Sequence, residues 1–259
     1  MNQEQIGVSA AAAELASSYM PFARYSEKLI RDFILAATSR LRSLTPVAID
    51  VGAGTGTPAR ILRDLGYRVV AVDVSTAMLA KLASDNPVLL ARIAANANAL
   101  PLTGRFADLA LFVESLHLLK DPEIALDEAI RVTRPGGCIL IVDTLREDLR
   151  IQVFHKYFPA FFDLDSQRHF SLSELLSMAL GRPLRLIYLD TQEFELTFPT
   201  AAAMTKFVSS RPFFGLRQLP EDVFVQQLES FAHAVAREFP VGPAISAGRE
   251  TCVILEVTS

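Results

Sequence analysis

Long apolar runs are missing from this sequence. Nothing in its 259 residues approaches the roughly 18 to 20 uninterrupted apolar residues that a membrane-spanning helix needs. The 51% hydrophobic content and mean hydropathy of +0.29 therefore point to a large buried core in a soluble chain. A secretory signal is missing too: "MNQEQIGVSAAAAELASS" lacks a basic start, and Glu4 and Glu14 flank or interrupt its small apolar residues, so a cytoplasmic location is expected. There is no basic excess. With 25 basic and 29 acidic residues the net charge is −4, which argues against a nucleic-acid partner. Cysteine is scarce, and Cys138 and Cys252 both sit in apolar strand-like runs, "GGCILIVD" and "TCVILEV". Buried free thiols are expected, not a disulfide. The four histidines are scattered, no paired cysteine motif exists, and Asp143 has no close carboxylate neighbour in sequence, so no metal site is expected. Internal repeats, low-complexity tracts and long linkers are absent as well.

What is present begins with helix signals over residues 9–44, with a break near Pro21. In "YSEKLIRDFILAATSRL" Leu29, Ile30, Phe33, Ile34 and Leu41 recur at helical spacing, which predicts an amphipathic leader before the first strand. Strands and helices then alternate. "VAIDV" reads as a buried strand, "PARILRDLG" as a helix closed by Gly66, "YRVVAVDV" as a strand, and "STAMLAKLAS" as a helix capped by Ser75 or Thr76. "LLARIAAN", "FADLALFV", the helix "PEIALDEAIRVTR" and the strand "GCILIVD" continue the rhythm. Such alternation predicts right-handed crossovers and a doubly wound, mostly parallel sheet with helices on both faces. Ligands of such sheets bind beyond the carboxyl ends of the strands. Gly52 to Gly56, Asp73, Asn96, Glu114 to His117 and Asp143 are therefore the positions to watch. From about 145 to 180 the rhythm lapses into a Phe-rich stretch with His155 and His169. A strand-like "LRLIYLDTQEFEL", helical segments at 200–209 and 220–238, and a last strand "ETCVILEV" follow.

The turn "DVGAGTG" after the first strand decides what kind of ligand is expected. A dinucleotide fingerprint reads G-x-G-x-x-G, and counting from Gly52 its third glycine would fall on Thr57. Here the third glycine arrives one residue early, as Gly56. With this D-x-G-x-G-T-G turn, "VDVSTAML", "ANALPL", "FVESLHLLKDPEIALDEAIRVTRPGG" and "GCILIVD", the chain resembles the class I S-adenosylmethionine-dependent methyltransferases over roughly residues 45–143. The resemblance implies a Rossmann-like α/β fold: a doubly wound, mostly parallel seven-stranded sheet with N-terminal helices and a helical lid. Residues 1–44 would form a helical leader or lid, and 45–259 the Rossmann-like domain with lid insertions at about 145–180 and 198–245. In the implied sheet order Cys138 and Cys252 lie near opposite ends of neighbouring antiparallel strands.

The implied cofactor is S-adenosylmethionine, released as S-adenosylhomocysteine, and the implied partner is a small-molecule methyl acceptor. Its contacts would come from Asp50, Gly52, Gly54, Gly56, Asp73, Val74, Met78, Asn96, Ala97 and Glu114. Glycines let the backbone approach the methionine part, and the next helix N-terminus suits its carboxylate. Asp50 adds negative charge near the ammonium, and Asp73 can accept from both ribose hydroxyls. Asn96 stands where the family usually has an acid, so its amide oxygen would accept from the adenine amino group while the Ala97 N–H reaches a ring nitrogen. Met78 reads either as an adenine contact or as core, and "RVTRPGG" as a helix stop and turn.

Methyl transfer from a sulfonium needs a base only when the acceptor must lose a proton. His117, just after the fourth strand, is the candidate catalytic residue, against a purely structural role in its loop; Glu114 could bind the ammonium or a cationic substrate. His155, His169 and Tyr25 belong to the expected lid, with exposed histidines the expectation there. Phe154, Phe158, Phe161, Phe162 and Phe170 either line an apolar acceptor pocket or pack the lid helices. Two rival functions stay open: a non-catalytic S-adenosylmethionine-binding module and a nicotinamide-dependent oxidoreductase, the latter lacking its glycine at 57.

Overall fold

The computed structural model describes residues 20–41, 43–85 and 89–258. The first part of the expected leader, with Glu4 and Glu14, lies outside them, as does the side chain of Tyr25. The chain divides into two compact units: residues 1–143, 174–191 and 251–259 in the first, and residues 144–173 and 192–250 in the second.

The first unit is built on α1 (Met20–Thr38), β1 (Val47–Val51), α2 (Thr57–Asp64), β2 (Arg68–Asp73), α3 (Thr76–Asp85), β3 (Ala91–Ala94), β4 (Ala107–Val113), α4 (Pro122–Val132) and β5 (Thr133–Asp143). Leu29, Ile30, Phe33 and Ile34 are buried as the periodicity predicts, while Leu41 lies beyond the end of α1 and is only half-buried; α1 packs on α2 and β5. Gly66 closes α2 in a left-handed conformation (φ 87°), its N–H donating to Arg63 O at 2.8 Å. All five residues of β1 are buried, as expected of a central strand covered on both faces.

The sheet has seven strands in the order β3-β2-β1-β4-β5-β7-β6, where β6 is Leu184–Phe198 and β7 is Ala244–Val257. Pairs β1–β2, β1–β4, β2–β3 and β4–β5 are parallel; β5–β7 is antiparallel. The chain steps outward from β1 to β3 and returns to start β4 on the other side of β1, so strand order reverses between β1 and β4. This is the doubly wound fold the alternation predicted. Cys252 lies opposite Val142 and Cys138 opposite Glu256; both thiols are buried and free. Burial pushes the Cys138 pKa up to about 11.

In the second unit, α5 (Val153–Lys156), α6 (Pro159–Ser166), α8 (Ala201–Ser209), α9 (Phe214–Gln218) and α10 (Glu221–Glu238) join residues 192–198 of β6 and 244–250 of β7; α7 (Leu172–Ser177) straddles the division. Its core is aromatic. Phe154 packs 5.2 Å from Phe213 and 6.1 Å from Phe198, and Phe158 lies 5.6 Å from Phe224. No helix among the described residues is long and apolar enough to cross a membrane.

Candidate functional site

The first unit gathers its polar side chains at the carboxyl ends of β1 to β5. After Val51 the chain turns sharply, and the N–H groups of Gly52 and Ala53 both donate to Val72 O, at 2.8 and 3.0 Å. Gly52, Gly54 and Gly56 have φ of 76°, 53° and 86°, a region that disfavours any residue with a Cβ. Their surroundings differ. A Cβ on Gly52 would lie 2.5 Å from Ser115 Cβ, and one on Gly56 2.4 Å from Leu82 Cδ1. Beside Gly54 the nearest atom is Gly52 O at 4.0 Å. Gly52 and Gly56 are thus demanded by the chain's own packing, and Gly54 alone leaves open space at the turn. The sequence reading assigned one reason to all three.

Asp50, near the end of β1, is 1% exposed, accepts from the Ala59 N–H in the first turn of α2, and keeps Oδ2 without a partner. Burial, reinforced by the neighbouring Asp73 charge, pushes its pKa from 3.8 to about 7. Asp73, the last residue of β2, accepts from Gly54 N–H at 2.8 Å through Oδ2 and from Ser75 N–H at 2.7 Å through Oδ1. Burial raises its pKa against the pull of these two N–H groups. Each oxygen keeps a second lone pair for another donor. Ser75 caps α3 by accepting from Met78 N–H at 3.3 Å, as expected from its position. Met78 is 6% exposed and belongs to the core, whereas Val74 is 59% exposed. Of the two, Val74 offers apolar surface at the strand ends.

Beyond β3, Ala95 N–H donates to Asp73 O at 3.1 Å, tying this exit to the end of β2. Asn96 is exposed, and its Oδ1 accepts from Asn98 N–H at 2.9 Å, making a tight turn around the buried Ala97. Beyond β4, Glu114 has a positive φ of 50°, a strained value for a non-glycine residue that is typical of functional turns. The Ser115 hydroxyl donates to Val51 O at 2.7 Å and fills the space beside Gly52. His117 is 9% exposed, and its Nδ1 lies 2.7 Å from Oδ1 of Asp143, itself 2% exposed. Sequence reasoning left Asp143 unpartnered because it sought a nearby acid. The usable signal was topological: β4 and β5 are adjacent, with Val113 opposite Val142, so the last residue of β5 meets the loop that leaves β4.

The histidines of the second unit depart from expectation. His155 and His169, expected at the surface, are 4% and 6% exposed. His155 Nε2 lies 3.0 Å from Asp165 Oδ2, its ring stacks on Phe161 at 4.2 Å, and burial lowers its pKa. His169 Nδ1 donates to Thr144 O at 2.8 Å. A carboxylate and a carbonyl in the right place make interior positions tolerable for both rings. Phe154, Phe158 and Phe161 are core, while Phe162 carries the Arg150 guanidinium 3.7 Å above its ring. For Phe154, Phe158 and Phe161 the packing reading holds.

Residues 49–141 match the family model of the methyltransferase domain. The demethylmenaquinone methyltransferase of Renibacterium salmoninarum is 37% identical over 95 residues, covering 37% of this chain and 40% of that protein. The malonyl-[acyl-carrier protein] O-methyltransferase of Pseudescherichia vulneris is 33% identical over 132 residues, 51% of each chain. The chain thus spans about half or less of the curated relatives it matches. A crystal structure of a methyltransferase assigned to antibiotic biosynthesis in Anabaena variabilis superposes with a TM-score of 0.63 at 19% identity, covering 89% of this chain and 98% of that one. That likeness shows the fold: a seven-stranded, mostly parallel sheet flanked by helices.

Proposed function

We propose that this chain is an S-adenosylmethionine-dependent methyltransferase acting on a small-molecule acceptor. One observation carries the reading: Asp50 is a fully buried acid whose Oδ2 has no partner, beside a glycine turn open only at Gly54. Such an atom calls for a cationic donor, and the ammonium of the methionine part is one. A phosphate-bearing dinucleotide would bring negative charge toward this acid, which disfavours the oxidoreductase alternative.

When bound, S-adenosylmethionine supplies a methyl group on a sulfonium, a leaving group already activated for in-line displacement. Asp50 would hold the ammonium and the open face of Gly54 the methionine backbone. Asp73, already committed to Gly54 and Ser75, would use its remaining lone pairs for the ribose hydroxyls. Val74 would lie along the base, with Asn96 and Ala97 reading its edge. Asp143 would fix the His117 tautomer: its carboxylate would accept a hydrogen bond from Nδ1–H, which stays protonated, and the ring's lone pair would then be on Nε2. His117 is then oriented as a general base, and the pair favours an acceptor that must lose a proton, a hydroxyl or an acidic carbon, over a carboxylate.

Calorimetric titration with S-adenosylmethionine and S-adenosylhomocysteine, with mass spectrometry of co-purifying compounds, tests the proposal. Binding in the micromolar range is expected. Absence of binding to both compounds sinks the functional reading and leaves the fold. If both bind but no acceptor panel ever yields S-adenosylhomocysteine, the chain is a non-catalytic cofactor-binding module.

A further inference from the structure

An ion pair on α4 reaches out of its helix into the loop that leaves β3. Arg131 Nε and Nη2 donate to Glu128 at 2.6 and 2.8 Å, a contact that on its own would be an ordinary exposed i,i+3 pair of little energetic weight. Here both partners also hold backbone. Glu128 Oε2 accepts from Leu100 N–H at 2.7 Å. Arg131 Nη2 donates to Leu100 O at 2.9 Å and Nη1 to Leu102 O at 2.8 Å. The Arg131 carbonyl accepts from Arg105 N–H at 2.9 Å, and Arg105 has a strained φ of 56°. One residue thus pins the loop at Leu100, Leu102 and Arg105. The other end of the loop is fixed at Ala95 by Asp73 O. Asn96 and Ala97 lie between these anchors, so a helix stop is an incomplete account of "RVTRPGG".

We propose that the Arg131–Glu128 clamp is a positioning device for nucleobase recognition, holding the Asn96–Ala97 turn at the height of the adenine edge. The inference rests on the cofactor reading above. It makes Arg131 a positioning residue, since it acts through the loop and touches no ligand. A planar guanidinium is needed because three acceptors in fixed directions must be met together, which a lysine ammonium on a flexible stem does poorly.

The test compares affinity for S-adenosylhomocysteine with affinity for S-ribosylhomocysteine, which lacks the base. The wild-type chain should prefer the adenosyl compound. Arg131→Ala should lose roughly tenfold in affinity for it, the order of one good hydrogen bond, with unchanged affinity for the ribosyl compound. Arg131→Lys should fall between, and it keeps the test available if the alanine variant fails to fold. Equal losses for both ligands, or an undiminished preference in folded Arg131→Ala and Arg131→Lys, overturn the clamp and leave the cofactor reading intact. A wild-type chain that binds neither compound, or both equally, overturns the base-recognition reading and the clamp with it.

Discussion

Two buried aspartates stand at opposite ends of adjacent parallel strands, in opposite circumstances. Asp108, near the start of β4, is 3% exposed; it accepts from Val47 N–H at 2.7 Å and forms an ion pair with Arg134. Asp50, near the end of β1, is 1% exposed, has an unpartnered Oδ2, and has its pKa pushed up to about 7. Both acids sit in the same sheet and at nearly the same depth. Asp108, at the amino edge, is held by the chain's own Val47 N–H and Arg134 guanidinium and so serves the fold; Asp50, at the carboxyl edge, keeps one oxygen without a partner and so is prepared for something else. Gly54, open-sided, and Glu114, at positive φ, lie on that same carboxyl edge.

Asp50→Asn is the strongest way to break this comparison. The folded protein holds a proton on Asp50 up to about pH 7, while the unfolded chain releases it near 3.8. Stability should therefore fall as pH rises between those values and level off above them. The span corresponds to roughly 4 kcal/mol, so thermal melts should show the asparagine variant more stable than wild type at pH 8 and nearly equal at pH 4. The same variant should lose affinity for S-adenosylmethionine, whose binding to the wild type should strengthen as pH rises through 7. A wild-type-to-variant difference that does not change with pH would show that Asp50 is satisfied after all. Gly54→Val comes next: on the order of a hundredfold or more weaker S-adenosylhomocysteine binding by calorimetry, with the circular dichroism spectrum retained. Retained binding would mean that the open side of the turn faces no ligand. Asp108→Asn should show the reverse pattern, about 1–3 kcal/mol less stable in urea with unchanged cofactor affinity in the folded protein. A change in affinity there would erase the distinction between the two edges.

The parts of this molecule that could be read from sequence are those set by local periodicity and turn chemistry. The strands β1 to β5, the helix closed at Gly66, the Ser75 cap and the glycine turn all follow from residues within a few positions of one another. His117 and Asp143 are 26 residues apart and meet only because β4 and β5 are neighbours. Ser115 explains Gly52 from beyond the neighbouring strand β4, since it leaves no room for a Cβ there. His155 reads as a surface residue until α6 brings Asp165 against it. In each case the missing information was a tertiary partner. The glycine turn illustrates both sides: its register was visible in the sequence, but which of its glycines serves packing and which leaves open space was not.

The smallest effect should separate Val74 from Met78. Both are apolar, both follow β2, and burial divides them, at 59% and 6% exposed. Val74→Ser removes exposed apolar surface, so stability should change by less than about 0.5 kcal/mol. Cofactor affinity should weaken by about 1 kcal/mol, a severalfold rise in Kd, if that surface lies along the base. Met78→Ala opens a cavity under α3 and should cost about 2 kcal/mol or more in stability, with affinity nearly unchanged in the folded protein. Measuring both quantities for both variants makes the assignment directional: weaker binding at constant stability in Met78→Ala, with Val74→Ser silent, would move the adenine contact back to Met78 and leave exposed Val74 without a role.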